Sequence, residues 1–209
     1  MRRMDPAPRK FHRAVAPWLV LPLFVSLTTG ICYRIGRAWF DLDHNWGERI
    51  LNIHDGAWLG SGPSLAYVLV VGLGLLAVAF TGSKMLFKSK ATKGGRFVHR
   101  IFGLLLFLPL GASAVTGMAF KVGEEWIGLP DDALKVLLVV HEGAWLGKAI
   151  RPWYVLFVGL GLLGLIVSGL RMAGGKKPDF FGRIPRRREA PSGQDRERRA
   201  ILGIGSQKK

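Results

Sequence analysis

The chain has 209 residues, of which 49% are apolar and 21% are charged, and 30 Lys and Arg residues against 14 acids give it a formal net charge of +16. The apolar residues concentrate in four blocks, and the charges lie almost wholly between and beyond these blocks. This segregation excludes a soluble enzyme domain and leaves no room for a large domain outside a membrane. The single cysteine, Cys32, excludes a disulfide framework and a cysteine-based metal or haem-attachment motif.

The four apolar blocks are each about 20 residues long, with at most one charge: 14–33, 65–83, 101–120 and 152–170. An α-helix rises about 1.5 Å per residue, so about 20 apolar residues cross the roughly 30 Å hydrocarbon core of a bilayer. The predicted fold is therefore all-α, an integral membrane four-helix bundle in contact with membrane lipids. A secretory signal peptide is not expected, because the first block is long and no small-residue cleavage site follows it.

The charges between the blocks predict the topology. Cations dominate before the first block, between the second and third, and after the fourth, whereas acids dominate the other two loops, at about 38–62 and 121–150. The positive-inside rule then places both termini and the middle link in the cytoplasm, for a protein of a bacterial inner membrane or of a thylakoid. Six tryptophans lie near the outer boundary, as membrane-interface residues do: Trp39, Trp46, Trp58, Trp126, Trp145 and Trp153.

The chain also repeats itself at an offset of 87 residues. Between 12–85 and 99–172, about 30 of 74 positions are identical, with no insertion. Each unit contains two spans, so the two units have the same orientation, and they predict a bundle with a pseudo-two-fold axis along the membrane normal. The predicted organisation is a basic cytoplasmic N-terminus, a first two-span repeat, a basic link, a second two-span repeat and a basic, disordered cytoplasmic tail, at 1–11, 12–85, 86–97, 98–172 and 173–209.

Four of the five histidines obey the repeat. His12 and His99 lie at the inner ends of the odd-numbered spans, and His54 and His141 lie on the outer side before the even-numbered spans. The two-fold therefore predicts that His12 faces His99 on one side of the membrane and that His54 faces His141 on the other. Two facing imidazoles in a bundle core are the axial ligand set of a six-coordinate b-type haem. His44 is discounted, because its equivalent position is Asp131.

Other interpretations of these histidines stay open. His and Arg at a helix end often lie in the headgroup region, and the motif around His54 and His141 could form an interfacial turn and anchor. Chlorophyll ligation would look the same in the sequence. Zinc is disfavoured, because each pair supplies two nitrogens and zinc takes three or four protein ligands. The repeated Gly, Pro and Thr or Ser positions within the spans are interpreted as packing residues, with the hydroxyls bonded to their own helix carbonyls.

A haem also needs cations for its two propionates. Arg13 and Arg100 adjoin the inner histidines and are the predicted cofactor-binding partners there. Four more cations are available near the outer pair: Arg34, Lys121, Lys148 and Arg151. Two haems stacked across the membrane would make an electron path from one face to the other.

The order of these motifs resembles the PepSY-associated transmembrane family. The pattern is His12-Arg13, then Leu21-Pro22-Leu23, Thr29-Gly30 and Thr81-Gly82, repeated in the second half, and it covers about 12–172. That family includes inner-membrane reductases, among them iron–siderophore reductases, which carry b-type haems on histidines in such spans. The resemblance implies that His12, His54, His99 and His141 are the haem ligands. The outer loops are too short for a PepSY domain, so this would be a short member that lacks it.

Two main functions follow from these features. The first is a membrane electron-transfer protein with two b-type haems, which receives electrons from a cytoplasmic donor or a quinol and passes them outward, with ferric iron as one acceptor. The alternative is a non-redox structural or assembly subunit of a larger membrane complex. A small transporter is less favoured, because no acid lies within the apolar blocks. The tail from 171 to 209 carries 12 cations and 4 anions and predicts contact with anionic lipid or an acidic partner, without nucleic-acid binding.

Overall fold

The computed structural model describes residues 6–86 and 94–174, and most of these residues are helical, with no β-strand among them. The six α-helices of this part of the chain are α1 (Pro6–Trp39), α2 (His44–His54), α3 (Ser61–Leu86), α4 (Gly95–Val122), α5 (Asp131–His141) and α6 (Arg151–Gly174). A π-helical turn, Gly123–Ile127, extends α4, and short 3₁₀ turns precede α3 and α6. The all-α prediction is confirmed.

Four helices are long and apolar enough to cross a membrane, in agreement with the four predicted spans. They are Ala7–Trp39, Ser61–Met85, Gly95–Ile127 and Arg151–Ala173. Many of their large apolar side chains are exposed on the outside of the bundle, as lipid-facing side chains would be. All six tryptophans of the predicted outer boundary are exposed as well, within and between these helices. The structure thus has the composition and helix lengths of a membrane protein.

The four long helices form a closed bundle. Helix α1 packs against α3 and α6, and α4 packs against the same two helices. The buried core lies among leucines of α1, α4 and α6: Leu19, Leu23, Leu27, Leu106, Leu110 and Leu162. Because lipid is as apolar as leucine, close packing rather than apolar burial holds such helices together.

Glycines provide that close packing within each repeat. A Cβ atom at Gly74 would lie 2.7 Å from Leu19 Cδ2, and one at Gly161 would lie 2.5 Å from Leu106 Cδ1. Each of these two contacts joins the two spans of one unit. Adding 87 to the residue numbers of the first contact gives those of the second.

A second set of glycines joins the two repeats. A Cβ atom at Gly72 would lie 2.6 Å from Met118 Cγ, and one at Gly159 would lie 2.5 Å from Ile31 Cδ1. These contacts run from α3 to α4 and from α6 to α1, and they too are exchanged by the offset. The sequence interpretation of these glycines as packing residues is confirmed.

The two short helices α2 and α5 were not predicted; they lie in the two acidic loops. They pack on α1 and α4, and they end at His54 and His141. The chain then turns through Gly56 and Gly143, whose φ angles of 73° and 68° lie in the left-handed region that glycine adopts without strain. Tyr67 and Tyr154 pack directly against these two glycines. The turn at each glycine sets the position of the preceding histidine relative to the long helix that follows.

Some predicted segments lie partly or wholly outside the described residues. Helix α1 begins at Pro6, so it includes about half of the predicted N-terminal segment 1–11. The predictions for the basic tail, for most of the middle link and for the first five residues fall on parts of the chain that the structure does not describe, and they stay predictions.

Candidate functional site

The structure brings His12 of α1 next to His99 of α4. Their ring centroids are 6.4 Å apart and their ring planes are perpendicular, at 90°. Both side chains are half-buried between the long helices. The inner histidines therefore face one another, as the repeat predicts.

Each inner histidine is anchored on the other span of its own unit. His12 Nδ1 donates to the carbonyl oxygen of Val78 at 3.0 Å and lies 3.3 Å from Thr81 Oγ1. His99 Nδ1 donates to Ser168 Oγ at 2.9 Å. Thr81 and Ser168 are equivalent positions in the repeat, so the two anchors use the same place in α3 and α6.

His54 of α2 and His141 of α5 make a second pair of the same kind. Their ring centroids are 6.2 Å apart, with an angle of 80° between the ring planes. His54 Nδ1 donates to the carbonyl oxygen of Ser26, and His141 Nδ1 donates to that of Ser113, both at 2.9 Å. Thr29 Oγ1 adds a contact to His54 Nδ1 at 3.1 Å. Ser26 and Ser113 are again equivalent in the repeat.

These hydrogen bonds fix the tautomer of all four rings. A carbonyl oxygen can only accept, so the proton of His12, His54 and His141 is on Nδ1. At His99, the hydroxyl of Ser168 donates to the Gly164 carbonyl oxygen and so accepts from Nδ1. A neutral ring with its proton on Nδ1 has its lone pair on Nε2, and no hydrogen bond to these Nε2 atoms occurs within residues 6–86 and 94–174. This is how metal-ligating histidines are held in proteins.

A glycine backs each of the four rings. A Cβ atom at Gly82 would lie 3.4 Å from His12 Cε1, and one at Gly169 would lie 3.6 Å from His99 Cε1. On the outer side the distances are 3.3 Å from Gly30 to His54 Cε1 and 3.0 Å from Gly117 to His141 Cε1. Each ring edge therefore lies directly on the backbone of a neighbouring helix.

A hydroxyl residue precedes each of these glycines in the sequence. The four hydroxyl–glycine dipeptides are Thr29-Gly30, Thr81-Gly82, Thr116-Gly117 and Ser168-Gly169. Their hydroxyls bond to carbonyls of their own helices, as the sequence predicts, and three of the four also contact a histidine Nδ1. The sequence interpretation as packing residues missed this second role. The signal was available, because the dipeptide recurs once for every repeated histidine.

The two pairs lie far apart along the same helices. Gly30, which backs His54, is 18 residues after His12 on α1, and Gly117 is 18 residues after His99 on α4. At about 1.5 Å per residue, the separation along the helix axis is roughly 27 Å. No histidine can belong to both pairs.

Burial keeps the outer histidines neutral. Burial lowers the pKa of His54 below the ordinary value of 6.5, although the Ser26 carbonyl and the charge of Asp55 partly oppose it. Burial and the neighbouring His54 lower the pKa of His141 to about 4, against a smaller opposite effect of the Ser113 carbonyl. Both rings therefore carry an Nε2 lone pair at neutral pH.

Charged residues surround the outer pair. Arg34 and Arg151 both donate to the same oxygen of Glu142, Oε2. Lys121 Nζ lies 3.2 Å from Asp55 Oδ2 and contacts two further carboxylates, at 2.9 Å in Glu125 and 3.6 Å in Glu124. Three of the four cations proposed near the outer pair are thus paired with acids beside it.

The other candidate residues take simpler positions. Arg13 is exposed and Arg100 is half-buried, each next to its histidine in the chain, and Lys148 is exposed. His44 is exposed, and its Nε2 lies 3.0 Å from Glu48 Oε1 one helical turn away, apart from both histidine pairs. Within the described residues, no three His, Cys, Asp or Glu side chains come together as a metal site.

Comparisons of the chain with family models, with curated proteins and with solved structures find no match. The resemblance to the PepSY-associated transmembrane family therefore stays a prediction from the motifs.

Proposed function

We propose that the chain is a membrane electron-transfer protein that holds two b-type haems, one between His12 and His99 and the other between His54 and His141. The observation that carries the proposal is the spacing of the rings, with centroids 6.4 Å apart in the inner pair and 6.2 Å in the outer pair. The two pairs lie about 27 Å apart along a helix and still have the same spacing. Histidines that only contacted lipid headgroups would have no reason to share one ring separation.

The spacing fits one metal ion between each pair. An imidazole nitrogen binds a metal ion at about 2.0–2.1 Å. A five-membered ring with conjugated bonds of about 1.33 Å places its atoms about 1.1 Å from its centroid. Two imidazoles that held one ion between them would have centroids roughly 6.3 Å apart. The centroids are 6.4 Å apart in the inner pair and 6.2 Å in the outer pair, close to that value.

The ligand chemistry fits haem in particular. Each site offers two neutral imidazoles and no thiolate or carboxylate ligand among the described residues, and axial histidines are common ligands of haem iron. The Nδ1 hydrogen bonds to Val78, Ser168, Ser26 and Ser113 raise the basicity of Nε2 and hold the ring orientation. Haem, when bound, supplies a one-electron redox centre at each pair.

The protein would orient these centres through its repeat. The glycine contacts within each unit and between the units are exchanged by the 87-residue offset, which supports two units of the same orientation around a pseudo-two-fold axis. The positive-inside rule then places His12 and His99 on the cytoplasmic side of the bacterial inner membrane, or of a thylakoid, with the outer pair across it. A cytoplasmic donor or a quinol would reduce the inner centre, and an acceptor outside would oxidise the outer one, with ferric iron as one acceptor class.

Arg13 and Arg100 are the proposed propionate partners of the inner haem, since each follows an inner histidine directly in the chain. Their guanidinium groups offer planar, permanently charged donors that match a carboxylate. No other cationic residue adjoins those two histidines in the sequence.

The test is the haem content and the redox spectrum of the full-length protein purified from haem-replete cells. The proposal expects two haems per chain and a reduced-minus-oxidised difference spectrum with b-type bands. The matched control is a chain with all four paired histidines changed to Ala, which should be colourless. A colourless wild-type protein would refute the proposal and leave the histidines with a structural role in a larger membrane complex.

A further inference from the structure

The two cations beside the outer histidines occupy equivalent positions but differ in their surroundings. Arg34 follows Gly30 by four residues on α1, and Lys121 follows Gly117 by four residues on α4. Residues four apart lie on the same face of a helix, so each cation stands one turn beyond the glycine that backs an outer histidine. Each also pairs with the acid that follows the histidine of the other unit, Glu142 or Asp55.

The Lys121 side has an excess of negative charge. Among the described residues, Lys121 is the one cation that pairs with these acids. Its side chain is only 7% exposed, and three carboxylates lie within 3.6 Å of its ammonium group. Asp55 and Glu125 accept hydrogen bonds from the ammonium group, and Glu124 adds a third negative charge 3.6 Å away. Glu125 is held further by Ser64, whose hydroxyl donates to it at 2.8 Å. A further anion would meet a formal charge of −2 on this side.

The Arg34 side has an excess of positive charge instead. The position equivalent to Ser64 is Arg151, so this side has two guanidinium groups around the single carboxylate of Glu142, for a formal charge of +1. The two side chains are 14% and 26% exposed, so much of this charge is removed from water. Within the part of the chain that the structure describes, the buried Nε atoms of Arg34 and Arg151 have no hydrogen-bond partner.

An arrangement of this kind lacks one anionic partner. Each guanidinium has five N–H donors, and a buried donor without a partner is costly. A second carboxylate would neutralise the excess charge and accept hydrogen bonds from these donors in the planar geometry that Arg provides.

We propose that Arg34 and Arg151 form a carboxylate-binding site on one side of the outer histidine pair, and that the equivalent Lys121 side takes no such ligand. A carboxylate could come from a propionate of the outer haem or from a free organic acid. The first source rests on the proposed function, whereas the second does not require haem.

The first arm of the test compares haem b with its dimethyl ester, in which both propionates are neutral. Haem-free protein with the substitution His12→Ala, which leaves only the outer pair intact, is reconstituted with each compound, and the transfer rate to an excess of apo-globin is measured. If a propionate is the ligand, the ester should leave about tenfold faster or more, since hydrogen bonds to charged groups are worth about 1.5–3 kcal/mol. Arg34→Gln and Arg151→Gln should remove most of that difference, and the control Lys135→Gln, at an exposed cation of α5, should keep it.

The second arm tests a free acid on the haem-free wild-type protein. Benzoate should raise the thermal unfolding midpoint if a free carboxylate binds, whereas its neutral analogue benzamide should not, and Arg34→Gln should abolish the benzoate effect. This arm decides the matter even for a protein that binds no haem, so a failure of the proposed function is distinguishable from a failure of the site.

The site is overturned if haem b and its ester leave the His12→Ala protein at the same rate and benzoate does not change the unfolding midpoint of the wild-type protein. Neither measurement depends on the folding of an arginine variant. Glu142→Gln provides an independent check, because it removes the competing carboxylate and should slow the loss of haem b or strengthen the benzoate effect. A faster loss together with a weaker benzoate effect in this variant would also contradict the proposal.

Discussion

The inner and outer histidine pairs reach nearly the same ring separation from different elements. His12 and His99 lie on the long helices α1 and α4, and their anchors lie on α3 and α6. His54 and His141 lie at the ends of the short helices α2 and α5, and here α1 and α4 carry the anchors instead. In both pairs, however, the ring contacts a glycine of the neighbouring helix, and a hydroxyl residue precedes that glycine.

Each site is therefore defined by the helix that the histidine ring packs against, rather than by the element that carries the histidine. A small residue lets the ring lie on the helix backbone. The carbonyl one turn before that residue accepts from Nδ1 in three of the rings, and at His99 the hydroxyl directly before the glycine does so. The pairs differ in their surroundings, because ion pairs of both repeats enclose the outer pair. Four predictions separate the properties that the two histidine pairs share from the properties that differ between them.

The largest expected effect is the selective loss of one haem. His54→Ala or His141→Ala should remove the outer haem and leave the inner one, and His12→Ala or His99→Ala should do the reverse. Two facing imidazoles define one iron, so a double substitution within a pair should be little worse than either single one. Haem per chain measures this, and the control His44→Ala should change nothing. Loss of haem from the His44 variant with retention in the others would break the assignment.

The second prediction concerns the pH dependence of the outer pair in the haem-free protein. The folded pKa of His141, about 4, is below the unfolded value of about 6.5, so the folded state resists protonation. Stability that is present above pH 6.5 should therefore fall as the pH drops toward 4, by on the order of 3 kcal/mol in total.

Imidazole ¹⁵N chemical shifts between pH 7.5 and 4 measure the His141 titration, and unfolding midpoints measure the stability. His141→Ala is the control and should flatten this part of the stability profile. A His141 ring that titrates near pH 6.5 would show that burial does not govern the outer pair.

A smaller effect should follow from filling the glycine contacts. Gly117→Ala places a Cβ atom 3.0 Å from His141 Cε1 and must displace the ring by a few tenths of an ångström, whereas Gly169→Ala leaves an ordinary 3.6 Å contact with His99. Iron ligation tolerates about 0.2 Å, so we expect the affinity for the outer haem to fall about tenfold in the first variant. The second variant should keep the inner haem.

Haem titration of the reconstituted protein measures both affinities. The matched control is Gly111→Ala, whose Cβ atom has no neighbour within 4 Å. Equal effects of Gly117→Ala and Gly169→Ala would show that the glycine contacts do not position the rings.

The smallest effect should come from the hydroxyls. Ser168→Ala removes the group that accepts from His99 Nδ1 at 2.9 Å, and the affinity for the inner haem should fall by up to about tenfold. Thr29→Val should do less to the outer haem, because the Ser26 carbonyl remains at 2.9 Å from His54 Nδ1. The same haem titrations compare the two variants, and a larger loss in Thr29→Val would reverse this ranking of the anchors.

The helical class, the four apolar segments of membrane-spanning length and the pairing of the histidines were all predictable from the amino-acid sequence. Apolar blocks of membrane-spanning length leave a helix as the way to satisfy the backbone within one segment. The 87-residue offset then places His12 with His99 and His54 with His141, because a duplicated unit in one bundle puts equivalent residues at equal depth.

The residues that surround each ring were not predictable from the sequence and are seen in the packing of the helices. The helices α2 and α5 were missed because their segments are short and their apolar positions are interrupted by charge. The roles of Gly117 and Ser168 were missed because a small residue in a membrane helix normally indicates helix packing. The contrast between Arg34 with Arg151 and the acids around Lys121 depends on contacts between residues up to 108 positions apart. Local sequence patterns record composition and spacing along the chain, whereas these contacts depend on how four helices pack together.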